Sequence, residues 1–363
     1  MQRLDHVAAY RLEVPLTKPY RLAFGTVERY DTIVVAATDA DGRTGFGEAT
    51  VLTGYTDETI DDAWRVAREF VGRLRAEPRE NQAATVDKLA ATHPFTATAF
   101  GTALEMLARG DALSPRATSV PLAGLLDAKH EEAIAEQFDA LLAQGYRTVK
   151  VKVGFEVETD AAFVRSVQRA ARGRALIRVD ANQGFSAEQG VAFVRKLDPE
   201  GIELLEQPCA AGDWDAHLEV ARVAEVPLML DESIYGLADI EKAASLGCAR
   251  FIKLKLMKLV TLEALGAALA RIRALGMQPV LGNGVACDVG CWLEALVAAE
   301  HIDNAGEMNG FRKVKAALLD PPVVFESGSI KLAPGIPRLN AETLVRYSVD
   351  SVQAAGAPAR TAA

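Results

Sequence analysis

Two pairs of lysines stand out in this 363-residue sequence because each pair interrupts an apolar run that predicts a buried strand. Lys150 and Lys152 alternate with valines, and Lys253 and Lys255 flank a leucine. Side chains alternate between the two faces of a strand, so both members of a pair point the same way. Desolvation and neighbouring cations lower the pKa of a lysine, which suits such groups to taking and returning protons.

Three carboxylates follow apolar runs between the two lysine pairs. Asp180, Glu206 and Asp231 each come at the end of such a run, and successive members of the series from Lys152 to Lys255 are 28, 26, 25 and 24 residues apart. One charged group therefore appears in each repeated unit. Carboxylate oxygens on adjacent strands are hard ligands suited to an octahedral cation that also takes water and substrate. The spacing predicts a magnesium site.

The elements that must position these groups alternate between short apolar strands and helical stretches, which is typical of βα units around a parallel sheet. Seven or eight such units favour a closed (β/α) barrel over an open sheet, which stays an alternative. Active-site groups of barrels lie at the carboxyl ends of the strands, where the two lysine pairs would face each other. The predicted strands are Val120–Leu126, Thr148–Val153, Ala175–Asp180, Ile202–Leu205, Val226–Leu230, Arg250–Leu256, Gln278–Leu281 and a weaker element at Asn304–Glu307.

The residues before the barrel have a different pattern. Val7–Glu48 reads as an antiparallel sheet, and Thr56–Arg75 and Glu80–Ala108 show helical spacing. We therefore expect an α+β domain ahead of the barrel. The predicted divisions are an α+β capping domain at 1–117, the barrel at 118–320, a segment returning to the cap at 321–353 and a disordered tail at 354–363.

Composition narrows the function classes. A net charge of -9 gives no reason to expect binding to nucleic acid or to an anionic membrane. The first residues lack the apolar core of a signal peptide, and no run approaches the length of a membrane span. Four cysteines are too few for a disulfide scaffold. We expect a cytoplasmic enzyme acting on a small molecule.

Several motifs resemble those of one known family, the muconate lactonizing enzyme subgroup of the enolase superfamily (the mandelate racemase/muconate lactonizing enzyme family). They are Gly45-Phe-Gly-Glu-Ala49, Lys150-Val-Lys152, Arg178-Val-Asp180-Ala-Asn182, Glu206-Gln-Pro208, Asp231-Glu-Ser233 and Leu254-Lys255-Leu-Met-Lys258. The resemblance implies an α/β fold, a modified (β/α)8 TIM-type barrel of the (β/α)7β kind with an α+β capping domain. It also implies a homo-oligomer.

The resemblance assigns roles to residues of the predicted site. Lys152 would be the general base, Lys150 would assist it electrostatically, and Lys255 would be the second acid or base. Mg²⁺ would be held by Asp180, Glu206 and Asp231, with Asn182 and Glu232 supporting these ligands. The superfamily pairs a lysine or histidine base with magnesium that stabilises an enediolate. Lys258 is expected to be a helix-side or surface charge.

Departures from the family pattern bear on the substrate. The loop after the seventh strand, Leu281–Val285, lacks the histidine of the mandelate racemase branch, which favours lysine bases. Dipeptide epimerases of the subgroup carry an Asp-x-Asp pair, for which this sequence has Glu307-Met-Asn309. Lys253 occupies a position that is often uncharged in relatives. The residues predicted to contact substrate are Tyr20, Phe24, Tyr55, Lys253, Asn283 and Glu307.

The leading hypothesis is an isomerase of racemase, epimerase or cycloisomerase type that removes the proton next to a substrate carboxylate and forms an enediolate. A lyase of the same superfamily is the alternative, either similar to o-succinylbenzoate synthase or a hydroxy acid dehydratase. A Schiff-base aldolase is more distant, since barrels can carry a nucleophilic lysine on the sixth strand. A binding barrel without catalysis would leave the lysines and acids without a reason.

Overall fold

The computed structural model describes residues 4–22, 25–51 and 57–355. The N-terminal part is a four-stranded antiparallel sheet in the order β16-β1-β2-β3. Its strands are β1 (Leu4–Leu22), β2 (Gly25–Asp39), β3 (Thr44–Thr50) and β16 (Ser348–Ala355). The expected antiparallel sheet is therefore present, and its fourth strand comes from the other end of the chain.

Two helices, α1 (Ile60–Ala76) and α3 (Pro94–Arg109), pack on this sheet, and α2 (Arg79–Ala90) packs against α3. The predicted helical stretch Glu80–Ala108 is thus two helices, since Pro94 begins a new one. The glycines of β3 explain how closely α3 packs. A Cβ at Gly47 would lie 2.2 Å from the Ala99 carbonyl oxygen, and one at Gly45 would lie 2.1 Å from that of Ala103.

Seven parallel strands form the barrel sheet in the order β5-β6-β7-β8-β9-β10-β11. They are β5 (Ala123–Leu126), β6 (Thr148–Lys152), β7 (Leu176–Asp180), β8 (Ile202–Glu206), β9 (Leu228–Leu230), β10 (Phe251–Leu254) and β11 (Gln278–Leu281). Between these strands and after the last of them lie α4 (Glu131–Ala143), α5 (Val157–Ala171), α6 (Ala187–Val194), α7 (Trp214–Val223), α8 (Leu237–Leu246), α9 (Leu256–Leu259), α10 (Leu262–Ala274) and α11 (Asp288–His301).

Residues 305–307 close the barrel between its two outer strands. The Gly306 amide donates to the Pro121 carbonyl at 2.8 Å, and the Ala123 amide donates to the Gly306 carbonyl at 2.9 Å. On the other side, the Glu307 amide donates to the Leu281 carbonyl at 3.0 Å. The weak eighth element is therefore a short bridging segment, and the predicted closed barrel of the (β/α)7β kind is confirmed.

Two predicted barrel strands each include residues that belong to another element of the structure. The run Val120–Leu126 divides, because β4 (Thr118–Pro121) pairs with β14 (Ser329–Leu332) outside the barrel and only β5 enters it. The strand predicted at Arg250–Leu256 ends at Leu254, because the short helix α9 begins at Leu256. Lys255 therefore lies between a strand and a helix, at the carboxyl end of β10.

The residues after the barrel form small elements and then return to the cap. They are β12 (Leu319–Asp320), β13 (Val324–Glu326), β14, β15 (Arg338–Leu339), α12 (Ala341–Tyr347) and β16. The return to the cap follows the predicted organisation, while the domain boundaries stay a prediction. Ala354 and Ala355, which belong to the predicted tail, pair with Val7 and His6 in the sheet, and 356–363 lie outside the described residues.

Glu48 on β3 joins the cap to the barrel. Its buried carboxylate accepts the backbone N–H of Cys287 at 2.7 Å and that of Gly290 at 2.8 Å, both at the start of α11, and the Thr50 hydroxyl at 2.7 Å. A buried amide left without an acceptor costs the desolvation of its N–H group. The cap therefore docks on the barrel through an acid that the helix amides require.

We expect Glu48→Ala to lower the free energy of unfolding by about 2–4 kcal/mol, since two buried amides and one hydroxyl lose their acceptor. Urea denaturation followed by circular dichroism measures the change. Glu28→Ala, which removes an exposed acid from the neighbouring strand β2, is the matched control and is expected to stay within about 0.5 kcal/mol of the parent. Equal stabilities of the two variants would contradict this role of Glu48.

Among the helices in the described part of the chain, none combines the length and the apolar character that crossing a membrane requires.

Candidate active site

Five neighbouring barrel strands each bring one charged residue of the predicted series to the same end of the sheet. Lys152 is the last residue of β6, and its Cα pairs with that of Asp180 at the end of β7. Asp180 in turn pairs with Glu206 at the end of β8. Asp231 follows β9, and Lys255 follows β10. The three acids therefore lie on the strands between the two lysines, at what we call the barrel mouth, the carboxyl ends of β5–β11.

Lys150 lies below Lys152 and contacts three carboxylates. Its Nζ is 2.6 Å from Glu206 Oε2, 3.0 Å from Asp180 Oδ2 and 3.0 Å from Glu307 Oε2. Burial lowers the pKa of Lys150, but these three acids outweigh that effect and raise it above its ordinary value. Lys150 is therefore a fixed positive charge in the barrel interior.

Lys253 is a second buried cation among the same acids. Its Nζ is 2.5 Å from Glu307 Oε2, 3.0 Å from Glu206 Oε1 and 3.5 Å from Asp231 Oδ2. Burial lowers the pKa of Lys253, and Glu206, Glu307 and Asp231 more than offset this and raise it well above its usual value. The ammonium group already has anionic partners from the protein, so a contact with a substrate anion stays a prediction for this residue.

Lys255 and Lys258 also contact Asp231. Lys255 Nζ donates to Asp231 Oδ2 at 2.7 Å. Lys258 Nζ lies 3.4 Å from Asp231 Oδ1 and donates to the carbonyls of Asp231 and Ile234. Burial and the nearby Lys258 hold the pKa of Lys255 well below its ordinary value. The pKa of Lys255 is therefore shifted in the direction opposite to those of Lys150 and Lys253.

The prediction of a surface role for Lys258 is wrong. Its side chain is only 1% exposed, because α9 turns it back under the loop that carries Asp231. The motif Leu254-Lys255-Leu-Met-Lys258 indicated this position, because a spacing of three residues places two side chains on the same side of a helical turn. A helical turn begins between them, and nothing else in the sequence indicated it.

Lys152 differs from the other lysines of the mouth. In the part of the chain that the structure describes, its ammonium group has no hydrogen-bond or ion-pair partner, and its side chain is only partly buried. The paired lysines lie deeper, while Lys152 lies at the rim. A group that must reach a bound substrate needs this freedom.

Polar residues behind the acids fix their orientation. The Asn182 amide nitrogen of the main chain donates to Asp180 Oδ1 at 2.9 Å, and Asn182 Nδ2 donates to Glu232 Oε1 at 3.2 Å. Gln207 was not predicted, yet its buried Oε1 accepts the main-chain N–H of Asp231 at 2.9 Å. The supporting position predicted for Asn182 agrees with these contacts, although its role stays a prediction.

Arg178 is a further buried residue to which the sequence assigned no role. It is fully buried, its Nε is 2.7 Å from Glu203 Oε2, and its Nη1 donates to the Ala305 carbonyl at 2.7 Å and lies 3.7 Å from Glu307 Oε1. Arg178 on β7 thus links residues 305–307, which close the barrel, to Glu203 on β8. Its position inside a strand, with the side chain directed into the barrel, was the available signal.

The acids fit a divalent cation by charge and by donor type. Within the described residues no three acidic, histidine or cysteine side chains already surround a common point, and Lys150 and Lys253 bridge neighbouring carboxylates. Glu232 Oε2 is a buried oxygen without a hydrogen-bond partner among those residues. Burial, and to a smaller extent the negative charges of Asp231, Asp180 and Glu206, raise the pKa of Glu232 to about 8. Crowded carboxylates with hard oxygen atoms suit Mg²⁺.

The other predicted substrate contacts have varied positions. Asn283 follows β11, but its amide is used inside its own loop, where Nδ2 donates to the Val285 carbonyl at 2.7 Å and Oδ1 accepts the Val285 N–H. Glu307 is held by the two buried lysines. Tyr20 lies where the cap meets the mouth, and the centroid of its ring is 3.7 Å from Lys313 Nζ. Phe24 and Tyr55 lie outside the described residues.

The fold and this set of residues define a barrel enzyme whose mouth holds acids flanked by lysines. A sequence model of the family described as enolase C-terminal domain-like matches residues 133–336, and the chain belongs to this family. The match covers more than half of the chain and includes the predicted lysine and carboxylate series. The predicted resemblance to the enolase superfamily is therefore confirmed.

Two curated relatives match over more than nine-tenths of the chain. The hydrophobic dipeptide epimerase of Citrifermentans bemidjiense is 28% identical, over 94% of this chain and 98% of the relative. Muconate cycloisomerase 1 of Rhodococcus opacus is 26% identical, over 91% of this chain and 93% of the relative. These matches confirm the predicted enzyme class, an isomerase of the muconate lactonizing enzyme group.

A solved structure agrees with the fold over almost the whole chain. It is a dipeptide epimerase from Cytophaga hutchinsonii complexed with Mg and the dipeptide D-Ala-L-Val. The TM-score is 0.86 at 20% sequence identity, with 97% of this chain and 99% of that chain covered. The cap and the barrel of this protein thus have the same arrangement as in that solved structure.

Proposed function

We propose that this isomerase removes the proton next to a substrate carboxylate with one lysine and returns a proton to the same carbon with another. The observation that supports the proposal is the strand order. Lys152 on β6 and Lys255 after β10 lie on either side of the three strands whose ends carry Asp180, Glu206 and Asp231. A substrate held over the acids would have one lysine on each side.

Mg²⁺ would be held by Asp180, Glu206 and Asp231, with Glu232 and Asn182 supporting these side chains. When bound, the ion supplies positive charge that stabilises the substrate carboxylate as negative charge develops on it. The solved epimerase with a TM-score of 0.86 is complexed with Mg, which supports the same cofactor for this chain.

The lysines would carry out the two proton transfers and stabilise the negative charge that develops on the substrate. Lys152 has no partner within the described residues and can take the proton at the α-carbon from its side of the mouth. Lys255, held by Asp231 at 2.7 Å, delivers a proton from the other side. Lys150 and Lys253 remain charged beside Glu206 and Glu307, and Lys150 stabilises the negative charge of the enediolate. Fixed geometry keeps both proton transfers short.

The substrate class is narrowed by Glu307. At the position where the family's dipeptide epimerases have an acid for the substrate amino group, this carboxylate is 3.0 Å from Lys150 Nζ and 2.5 Å from Lys253 Nζ. Asn309, two residues later, donates its Nδ2 to the Ala123 carbonyl at 2.8 Å. Glu307 is therefore already paired with lysines and is not available to bind a free amino group of the substrate. This favours a substrate carboxylate whose amino group is acylated or absent.

Exchange of the α-proton tests the proposal across several substrate classes at once. The protein with Mg²⁺ is incubated in deuterated water with pooled N-acylamino acids, dipeptides, hydroxy acids and lactones, and mass spectrometry detects a gain of one mass unit. We expect exchange that stops on addition of a chelator and resumes with Mg²⁺. Exchange that survives the chelator would contradict the metal dependence. Trapping of a ketone by borohydride would indicate the aldolase instead.

A further inference from the structure

The lysines around the barrel mouth fall into two groups by charge balance. Four have a carboxylate oxygen within 4 Å: Lys150, Lys253, Lys255 and Lys258. Lys129, Lys152 and Lys313 have none in the described part of the chain. Lys129 lies over the Phe163 ring, 4.0 Å from its centroid, which leaves Lys152 and Lys313. The charge of the inner lysines is thus compensated by the protein, while two cations nearer the cap have no carboxylate of their own among the residues described.

Lys313 is held where the cap meets the loop after β11. Its main-chain carbonyl accepts the Thr17 amide of β1 at 2.7 Å. Its Nζ donates to the Gly284 carbonyl at 2.6 Å and lies 3.7 Å from the centroid of the Tyr20 ring. The Tyr30 hydroxyl donates to the same Gly284 carbonyl at 3.2 Å, which fixes that loop. The position of the ammonium group is therefore set from both the cap and the barrel.

The contacts of Lys313 leave hydrogen-bonding capacity unused. An ammonium group has three N–H donors, and the Gly284 carbonyl and the Tyr20 side chain engage at most two of them. Burial lowers the pKa of Lys313, Tyr20 opposes this change, and Lys152 lies near enough to lower the pKa further. A partly buried cation with unused N–H donors is stabilised by an anion that can accept them.

We propose that Lys313, held by Tyr20, binds an anionic oxygen group of the substrate that is remote from the reacting carbon. The substrate is then a carboxylate that loses its α-proton and that carries a second carboxylate or a phosphate. This inference rests on the proposed function for the place of the reacting carbon. The Lys313 ammonium would repel a substrate that ends in an ammonium group, and a neutral amide would gain less from it.

Matched pairs of candidate substrates test the subsite by kcat/KM for α-proton exchange. N-acetylglutamate is compared with N-acetylglutamine, an N-succinylamino acid with its N-succinamoyl counterpart, and N-acetylphosphoserine with N-acetylserine. We expect the anionic member of at least one pair to be favoured by about tenfold or more. The carboxylate and phosphate pairs decide which anionic group the subsite takes. Ratios near one in all three pairs would overturn the proposal.

Variants then assign the preference to Lys313. In Lys313→Met we expect the ratio of kcat/KM for the anionic over the neutral member to fall at least tenfold, and in Lys313→Arg we expect most of the ratio to return with the charge. Lys315→Met removes an exposed lysine two residues away and should keep the parent ratio. A ratio unchanged in Lys313→Met, with the protein folded by circular dichroism, would also overturn the proposal.

A binding measurement separates this inference from the proposed function. Glutarate and its monoamide, glutaramate, are titrated into the Mg²⁺-loaded protein by calorimetry, whether or not any compound exchanges. Glutarate bound at least tenfold more tightly, with the difference lost in Lys313→Met, supports the subsite even if no α-proton exchange is found. If substrates without a second anionic group exchange their α-proton and the two probes bind equally, the proposed reaction is supported and the Lys313 subsite is rejected.

Discussion

Lys255→Met is expected to lower racemisation by about 10²–10⁴-fold while leaving α-proton exchange of one enantiomer measurable. The reason is the placement of the two lysines on opposite sides of the acids. With Lys255 removed, Lys152 can still take a proton from the enantiomer that presents it to β6 and return a deuteron to the same face. Inversion requires a donor on the other face, which is the side that Lys255 serves. Chiral chromatography combined with deuterium incorporation measures both rates.

Lys152→Met should give the reciprocal pattern, in which only the other enantiomer exchanges. Lys88→Met, which removes an exposed lysine from α2 in the cap, is the control and should leave both rates unchanged. Loss of exchange in the same enantiomer for both site variants would contradict the two-sided mechanism. Equal turnover of both enantiomers in Lys255→Met would remove Lys255 from the reaction.

Asp180→Asn combined with Glu206→Gln is expected to abolish Mg²⁺ binding in calorimetry and to lower exchange by about 1,000-fold or more. The two acids are adjacent on β7 and β8, and the change removes two of three charges that would hold the ion. The amides keep the shape of the side chains, so the barrel should stay folded. Far-ultraviolet circular dichroism and a thermal melt in chelator check this.

A matched double variant separates loss of the metal from a general loss of acidic charge. Asp215→Asn with Glu219→Gln changes two exposed acids on α7 by the same chemistry, and it should bind Mg²⁺ like the parent protein. Activity retained in Asp180→Asn with Glu206→Gln would argue against a metal site at the barrel mouth. Mg²⁺ binding retained without activity would instead place the ion on other acids.

The repeated spacing of one charged group per βα unit predicted the candidate site well. Asp180, Glu206 and Asp231 could be placed together from the sequence because parallel strands of a barrel end at one face, whatever the details of the helices between them. The alternation of Lys150 and Lys152 predicted their common face for an equally local reason. Such inferences depend only on strand geometry and survive errors of one or two residues in strand ends.

Contacts between distant segments could not be predicted in this way. Lys253 and Lys150 share Glu307, a residue 157 positions after Lys150, and nothing local to either lysine specifies that partner. Lys258 is buried because a helical turn begins at Leu256, inside what reads as a continuous strand. Lys313 gains its position from Tyr20 on the cap and from Gly284 in the loop after β11.

The barrel, the order of its charged strand ends and the family of the chain could all be inferred from the amino-acid sequence, because periodicity and spacing are local properties of a chain. The folded arrangement was needed to show which lysines are neutralised by acids and which, such as Lys152 and Lys313, have no acid beside them in the described part of the chain. Charge compensation depends on distances of a few ångströms between segments that are remote in sequence, and folding alone brings such segments together.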